Sequence, residues 1–473
     1  MIANLQPYPE YKESEQAWLG RVPQHWPVLP NRALFAEVKD REHPDEEMLS
    51  VTITKGIIRQ KVLLTDSSKK DSSRLDKSAY KLVQPRDIAY NKMRAWQGAI
   101  GVSDFRGIIS PAYVVMRLRE EHNLPRYFHH LYRTPHFAKE AERWSYGITS
   151  DMWSLRPEHF KMIYTPQPPP EEQAAMVRFL DYANGRLERA IRAKRKVIAL
   201  LHEQKQAIIH RAVTGQDQVV EQKQADGTSA LPKMPSGIPW LGDIPKHWEV
   251  LRSKYIYREV DNRSATGEET HLSMSQKFGL IPSSQIEEKR LVSESYAGAK
   301  LCEKGDLVLN RLKAHLGVFA LAPERGLVSP DYTVFRPARE LEARYFEAVY
   351  RTPACRVELR QRAKGIVQGF WRLYTDDFYD IRLPVPPVDE QKRIMAQLGI
   401  DLSGLNTAIN RIEREIELLR EYRTRLVADV VTGKLDVRPA ARHLPVEAGE
   451  AILPAEDLPE EAELELEADV AEK

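Results

Sequence analysis

Two stretches of this chain place apolar residues at alternating steps of four and three. In the later stretch Leu398, Leu402, Leu405, Ile409, Ile412, Ile416, Leu419, Arg423, Leu426 and Val430 fall on one seam. In the earlier one the seam is Leu180, Asn184, Leu187, Ile191, Lys194, Ile198, Leu201, Lys205, Ile208 and Ala212. A heptad stripe this narrow and this long predicts coiled-coil helices rather than helices of a globular core. At ~1.5 Å per residue each would run roughly 60 Å. The flanks agree. Pro166, Pro168, Pro169 and Pro170 precede the first helix, and Pro384, Pro386 and Pro387 the second. Proline ends a strand and sits well before a helix start. Glu171-Glu172 and Asp389-Glu390 follow, where the helix dipole favours acid. Gly215 and Gly433 are the C-terminal stops.

The remainder of each half mixes short β-branched runs, such as 49–54, 113–116 and 307–309, with turns rich in Gly, Pro and Asp. Helical stretches near 127–132 and 345–350 complete a mixed unit. These parts are copies of each other. Trp18-Leu19-Gly20-Arg21-Val22-Pro23-Gln24-His25-Trp26 returns as Trp240-Leu241-Gly242-Asp243-Ile244-Pro245-Lys246-His247-Trp248. Asp87, Asn91, Gly98 and 107–111 recur as Asp306, Asn310, Gly317 and 326–330. Tyr132-Arg133-Thr134-Pro135 recurs as Tyr350-Arg351-Thr352-Pro353, and Val213-Thr214-Gly215 as Val431-Thr432-Gly433. An internal repeat of this size means two similar domains. Equivalent halves pair most readily about a pseudo-twofold axis, which makes the helices antiparallel. Charge points the same way. Arg186, Arg189, Arg192, Lys194, Arg195 and Lys196 make the middle of the first helix basic, and Glu413, Glu415, Glu417 and Glu421 make that of the second acidic. The expected class is α+β: two pseudo-twofold-related α/β domains joined by two long antiparallel coiled-coil helices. The segments are domain 1 (1–165), helix (166–215), a polar linker (216–237), domain 2 (238–383), helix (384–433) and a disordered acidic tail (434–473).

At 473 residues, 42% hydrophobic and 29% charged, the chain has room for two cores. It has no apolar run long enough for a bilayer and no signal-peptide pattern at its start, so a cytoplasmic protein without a membrane partner is expected. The net charge of +2 hides an asymmetry. From Pro445 to Lys473 there are 11 acidic residues and one basic. The rest has 69 Lys+Arg (70 − 1) against 57 Asp+Glu (68 − 11), or +12. A basic body points toward a polyanionic partner. Cys302 and Cys355 correspond to Val83 and Phe137, so both are expected to be small core residues.

The Trp-Leu-Gly…Ile-Pro…His-Trp opening (240–248, copied at 18–26), the helix start Pro386-Pro387-Val388-Asp389-Glu390-Gln391 and the exit Val430-Val431-Thr432-Gly433-Lys434-Leu435-Asp436-Val437 together resemble the specificity subunits of type I restriction–modification enzymes. The resemblance runs to about Val437. The first-half exit is degraded to Val213-Thr214-Gly215-Gln216-Asp217, and the acidic tail lies outside the pattern. The resemblance implies that each α/β unit is a target recognition domain reading one half of a bipartite, asymmetric DNA site. It implies that the helices space the half-sites, and that the subunit is non-catalytic. It also implies two methyltransferase subunits and restriction subunits as partners, with S-adenosylmethionine, ATP and Mg in those partners and no cofactor in this chain. The residues agree on catalysis. There is no Gly-x-x-x-x-Gly-Lys-[Ser/Thr] loop and no Asn/Asp-Pro-Pro-aromatic run. Pro330-Asp331 with Glu340 lacks the lysine of a nuclease site. His25 and His247 have no carboxylate or cysteine at ligand spacing and read as structural. The competing reading is a two-domain coiled-coil scaffold without DNA readout.

Base reading needs planar or forked donors near base edges with phosphate clamps around them. The densest candidates are Asn91, Lys92, Arg94, Trp96 and Gln97, matched by Asn310, Arg311, Lys313, His315 and Leu316. Charge is kept at 92/311 and 94/313, as phosphate contacts require. Chemistry diverges at 96/315 and 97/316, as readers of different half-sites require. Further candidates are Lys69, Lys70 and Arg74, Lys55 against Lys277, and Arg143, Trp144 and Tyr146 against Arg362, Ala363 and Lys364. Trp153 and Trp371 match and read as core.

Overall fold

The computed structural model describes residues 5–64, 76–147, 153–216, 232–275, 278–285, 296–365 and 371–445. It divides into two compact units, Met1–Lys194 with Arg414–Lys473, and Arg195–Glu413. Each unit therefore holds one α/β domain with the beginning of one long helix and the end of the other. Both helices, Pro170–Val213 and Val388–Val431, span 44 residues.

In the first unit a four-stranded antiparallel sheet runs in the order Phe35–Val38, Tyr113–Leu118, Ile88–Asn91, Ile100–Val102. In the second the order is Tyr257–Val260, Tyr332–Pro337, Leu307–Asn310, Phe319–Leu321. Register is kept between copies, with Asn91 opposite Tyr113 and Asn310 opposite Tyr332. Each domain adds antiparallel ribbons, among them Leu49–Thr52 with Gly56–Arg59 and Leu272–Ser275 with Gly279–Pro282. Cys302 and Cys355 are fully buried, as their counterparts Val83 and Phe137 are. Burial pushes both thiols up, that of Cys302 to about 11.

The repeated motifs turn out to be a joint. Trp26 and Trp248 are buried, and their indole N–H groups donate to Glu172 Oε2 (3.0 Å) and Glu390 Oε1 (3.1 Å) at the helix starts. His25 Nε2 lies 2.7 Å from Glu172 Oε1, and His247 Nε2 2.8 Å from Glu390 Oε2. The histidines are structural, but the absence of a carboxylate partner in the sequence reading is corrected: folding brings one from the helix. The next residue closes the loop before the helix. Gln173 Nε2 donates to Pro168 O (2.8 Å), and Gln391 Nε2 to Pro386 O (2.8 Å).

The end of the other helix docks on the same motif. Gly433 has φ +77°, and a Cβ there would stand 2.4 Å from Pro23 Cδ and 2.8 Å from Trp26 Cζ3. Gly215 has φ +71°, with Pro245 Cδ at 2.4 Å. Glycine is required at both for conformation and for space. Buried Tyr127 and Tyr345 each donate a hydroxyl hydrogen bond to the last carbonyl of that helix, Val431 O (3.1 Å) and Val213 O (2.9 Å).

Within the first unit the helices run antiparallel: Glu188 pairs with Arg423 (3.4 Å) and Lys194 with Glu415 (2.5 Å). Within the second, Lys205 Nζ donates to Asn406 Oδ1 (2.8 Å). The predicted seam positions are buried or half-buried throughout. The polar ones are those that find a cross-helix partner, which satisfies a charge that the seam removes from water. Asn184 Oδ1 is an exception, buried with no partner.

Two boundaries differ from expectation. Lys233–Pro235, read as linker, is a strand paired with Asp243–Pro245. Residues 434–445, grouped with the tail, are folded: Asp436 bridges to Gln6, Val437 is buried, and Arg438–Arg442 is helical. One side chain explains the second. Arg438 pairs with Asp436 (2.7 Å) and Glu172 (3.0 Å), and its guanidinium lies 4.9 Å from the Tyr8 ring centroid. The tail from 446 onward lies outside the described residues.

Candidate nucleic-acid interface

The strand Ile88–Asn91 ends in a turn built by its last residue. Asn91 is buried, and its Oδ1 accepts the Met93 N–H at 2.9 Å. Asn310 Oδ1 accepts from Leu312 (3.1 Å) and Lys313 (3.3 Å). This is an Asx turn, in which a short amide replaces a backbone acceptor. It assigns the shared asparagines to loop shape. A short 3-10 turn follows, Ala95–Gln97 or Ala314–Leu316, anchored by a fully buried alanine and closed by Gly98 or Gly317 at positive φ. Gln97, Lys313 and Leu316 are exposed, and Lys92, Arg94 and Arg311 are half-buried. Arg311 Nε donates to Asp331 O (3.0 Å). Trp96 is half-buried, with its Nε1 on Met93 O (2.9 Å) and its ring edge-on to Trp153 at 5.6 Å.

The second variable loop lies against the first. Leu155 N donates to Lys92 O (2.9 Å), and Leu373 N to Arg311 O (3.0 Å). Tyr146 and Ser154 form an isolated antiparallel bridge, as do Lys364 and Arg372. Two segments that are 50 residues or so apart in each half thus present one face. Arg143 is less available than its sequence suggests. Its guanidinium makes two bonds to buried Glu140 (2.9 and 2.6 Å), which also accepts from Trp144 Nε1 (2.8 Å). That pairing raises the Arg143 pKa further. Arg362 pairs with Glu358 in the copy. Tyr146 is 57% exposed and its ring meets His159 at 4.9 Å. At the corresponding place Lys364 Nζ pairs with Asp377 (2.6 Å). One unit offers an aromatic pair where the other offers an ion pair.

Trp153 and Trp371 correct the reading as core. Both are half-buried at this face, Trp371 with the Arg360 guanidinium 5.9 Å from its ring centroid. Lys69, Lys70, Arg74 and Lys277 lie outside the described residues, as does the side chain of His315.

Sequence reasoning passed over polar side chains that tie the sheet strands together. Asp87 and Arg117 form a two-bond pair (2.7 and 2.8 Å), repeated as Asp306 and Arg336 (2.9 and 2.8 Å). Lys81 is buried with its Nζ on Tyr113 O; burial, and then the charge of Lys92, lower its pKa. Lys300 repeats the bond to Tyr332 O (2.9 Å). The signal available was the retention of Asp87/Asp306 across the repeat. Among the described residues no cluster of three or more His, Cys, Asp or Glu could hold a metal, and no helix is long and apolar enough to cross a membrane.

The geometry can be set beside known proteins. No family model matches the chain. The "Putative type I restriction enzyme MjaX specificity subunit" of Methanocaldococcus jannaschii is 21% identical over 462 residues, spanning 93% of this chain and all of that protein. A solved chain from work on complex assembly and conformational transition of the type I R-M system superimposes with a TM-score of 0.55 at 17% identity. It covers 88% of this chain and 99% of that one. The chain is thus similar in sequence, end to end, to a type I specificity subunit, and in fold to a solved type I R-M chain. In this fold the duplicated opening, helix-start and exit motifs are structural. They seat each domain on the start of one helix and the end of the other, within its own unit. The variable residues gather instead at the paired turns.

Proposed function

We propose that this chain is the DNA sequence-specificity subunit of a type I restriction–modification complex. Each domain reads one half of a bipartite, asymmetric site through the face built from 91–98 with 143–147 and 153–155, or 310–317 with 362–365 and 371–373. The carrying observation is the contrast between corresponding positions on one scaffold. Lys92/Arg311 and Arg94/Lys313 keep a cation, while Gln97/Leu316 and Tyr146/Lys364 change chemistry. Cations suit phosphates, which fix register without carrying sequence, and the exchanged side chains suit base edges. The paired helices act as the spacer between half-sites and, with the joints, offer docking surface to two methyltransferase subunits. S-adenosylmethionine, ATP and Mg are assigned to those and to restriction subunits. The chain's own part is to position, not to react.

The test is selection from a randomised duplex pool by the chain assembled with methyltransferase subunits, at several salt concentrations. A two-part consensus and a steep loss of affinity with salt are expected. Binding with no sequence preference, or none at all, would favour a coiled-coil scaffold without readout.

A further inference from the structure

The Tyr-Arg-Thr-Pro motif is kept in both domains, and in the first its arginine has a particular task. The flanking residues behave alike. Tyr132 and Tyr350 are buried, and Thr134 and Thr352 cap the next helix by accepting from Phe137 N and Cys355 N. Arg133, however, is surrounded by main-chain carbonyls. Its Nη2 donates to Ile53 O (2.7 Å) and Thr54 O (2.5 Å). Its Nη1 reaches Ile100 O (2.9 Å), Gly98 O (3.3 Å) and Thr52 O (3.5 Å). Three of these acceptors belong to the tip of the Leu49–Thr52/Gly56–Arg59 hairpin, and two to the strand side of the turn that carries Lys92 and Gln97. The guanidinium fork suits this task, because one rigid plane can serve several acceptors at once. The tip closes tightly on it. Gly56 has φ +76°, and a Cβ there would meet His129 Cε1 at 3.1 Å and Arg133 Nη1 at 3.4 Å.

In the second unit Arg351 donates to Phe319 O (2.8 Å), the counterpart of Ile100, and pairs with Glu347 one helical turn earlier (2.9 Å). The residue one turn before Arg133 is His129. Its Nδ1 accepts the Val102 N–H at 3.2 Å, which fixes an unprotonated ring nitrogen toward that strand. Burial, and then the Arg133 charge, hold this imidazole well below its ordinary pKa. Position 129/347 thus sets whether a carboxylate stands one helical turn before the arginine.

We propose that Arg133 is a positioning residue for DNA reading: it fixes the hairpin tip at 52–56, which carries Lys55, against the 98–100 end of the reading turn. This rests on the DNA reading above and deepens it. Lys55 and the 92–97 turn become one preset surface, and the specificity of the first half-site depends on a residue that need not touch DNA.

Two variants test it in the full chain. Arg133→Lys keeps the charge but loses the fork. His129→Glu places a carboxylate one turn before Arg133, as Glu347 stands before Arg351, to draw the guanidinium from the hairpin. One readout needs no DNA: the rate of tryptic cleavage after Lys55. The other is selection from the randomised duplex pool with methyltransferase subunits present. Both variants are expected to speed cleavage at Lys55 and to lower discrimination in the first half-site about tenfold. The second half-site and the salt dependence of non-specific binding should be unchanged. Unchanged protection of Lys55 in both variants would overturn the clamp. Faster cleavage with first-half discrimination intact would overturn the positioning role. A wild-type chain that selects no sequence although Lys55 is protected would overturn the DNA reading, and the positioning role with it.

Discussion

Glu172 shows how one side chain can organise a domain joint. It accepts from Trp26, from Tyr8 (3.0 Å), from Arg438 and from the His25 ring, whereas Glu390 meets Trp248 and His247. Glu172→Ala should therefore cost on the order of 3–5 kcal/mol, since it strands several buried donors and a cation. Glu390→Ala should cost less, about 1–3 kcal/mol. Hydrogen exchange resolved by unit measures both, and equal losses would mean that Tyr8 and Arg438 add nothing. His129 supplies a pH dependence with a definite sign. Its pKa is lowered in the folded state, so below about 6.5 the unfolded chain binds more protons. Stability of the first unit is present in full above that pH and falls as pH drops toward the folded pKa. His129→Asn, which keeps an acceptor for Val102 N, should flatten the decline in melting temperature between neutral and mildly acidic pH. At the interface, Lys92→Ala should weaken binding to all sequences and reduce the salt slope by about one. Gln97→Ala should cost roughly 1–3 kcal/mol at a single position of the first half-site. A Gln97→Ala complex of unchanged fidelity would move reading to Tyr146 and its neighbours.

At the scale of elements, legibility followed periodicity. The two seams were readable because a heptad stripe repeats along most of each 44-residue helix, and even its polar members, Lys194, Lys205 and Arg423, mark where partners cross. The turns at 91–98 and 310–317 were readable because the repeat supplies its own comparison. What was not readable depends on long-range closure. Glu172 reaches His25 across 147 positions, and Asp436 bridges to Gln6, so neither spacing nor composition announces the joint or the folded start of the tail. Arg133 was hidden for another reason: its partners are carbonyls, which every residue has. Trp153 and Trp371 misled because agreement between copies was taken as burial, and a half-buried ring beside a loop is kept just as well. The helices yield their own prediction. Adding one heptad to each in register preserves the seam and lengthens each by about 10 Å. If they space the half-sites, the unread gap should grow by about three base pairs at ~3.4 Å each. An unchanged gap in the methylated site would show that they do not set it.

For the whole molecule, duplication explains why one chain carries two faces of different chemistry. The joints are repeated nearly atom for atom, from Trp26 on Glu172 to Trp248 on Glu390, while the exposed pairs diverge, Tyr146 with His159 against Lys364 with Asp377. Under the proposed function, a scaffold kept constant beneath variable faces would make each domain an exchangeable reader. The most direct measurement is methylation mapping across a host genome with this chain and with a hybrid in which residues 16–165 come from a known type I specificity subunit. One half of the methylated sequence should change, and the other half should persist. A hybrid that alters both halves, or methylates the original site unchanged, would contradict the assignment of one half-site to each domain.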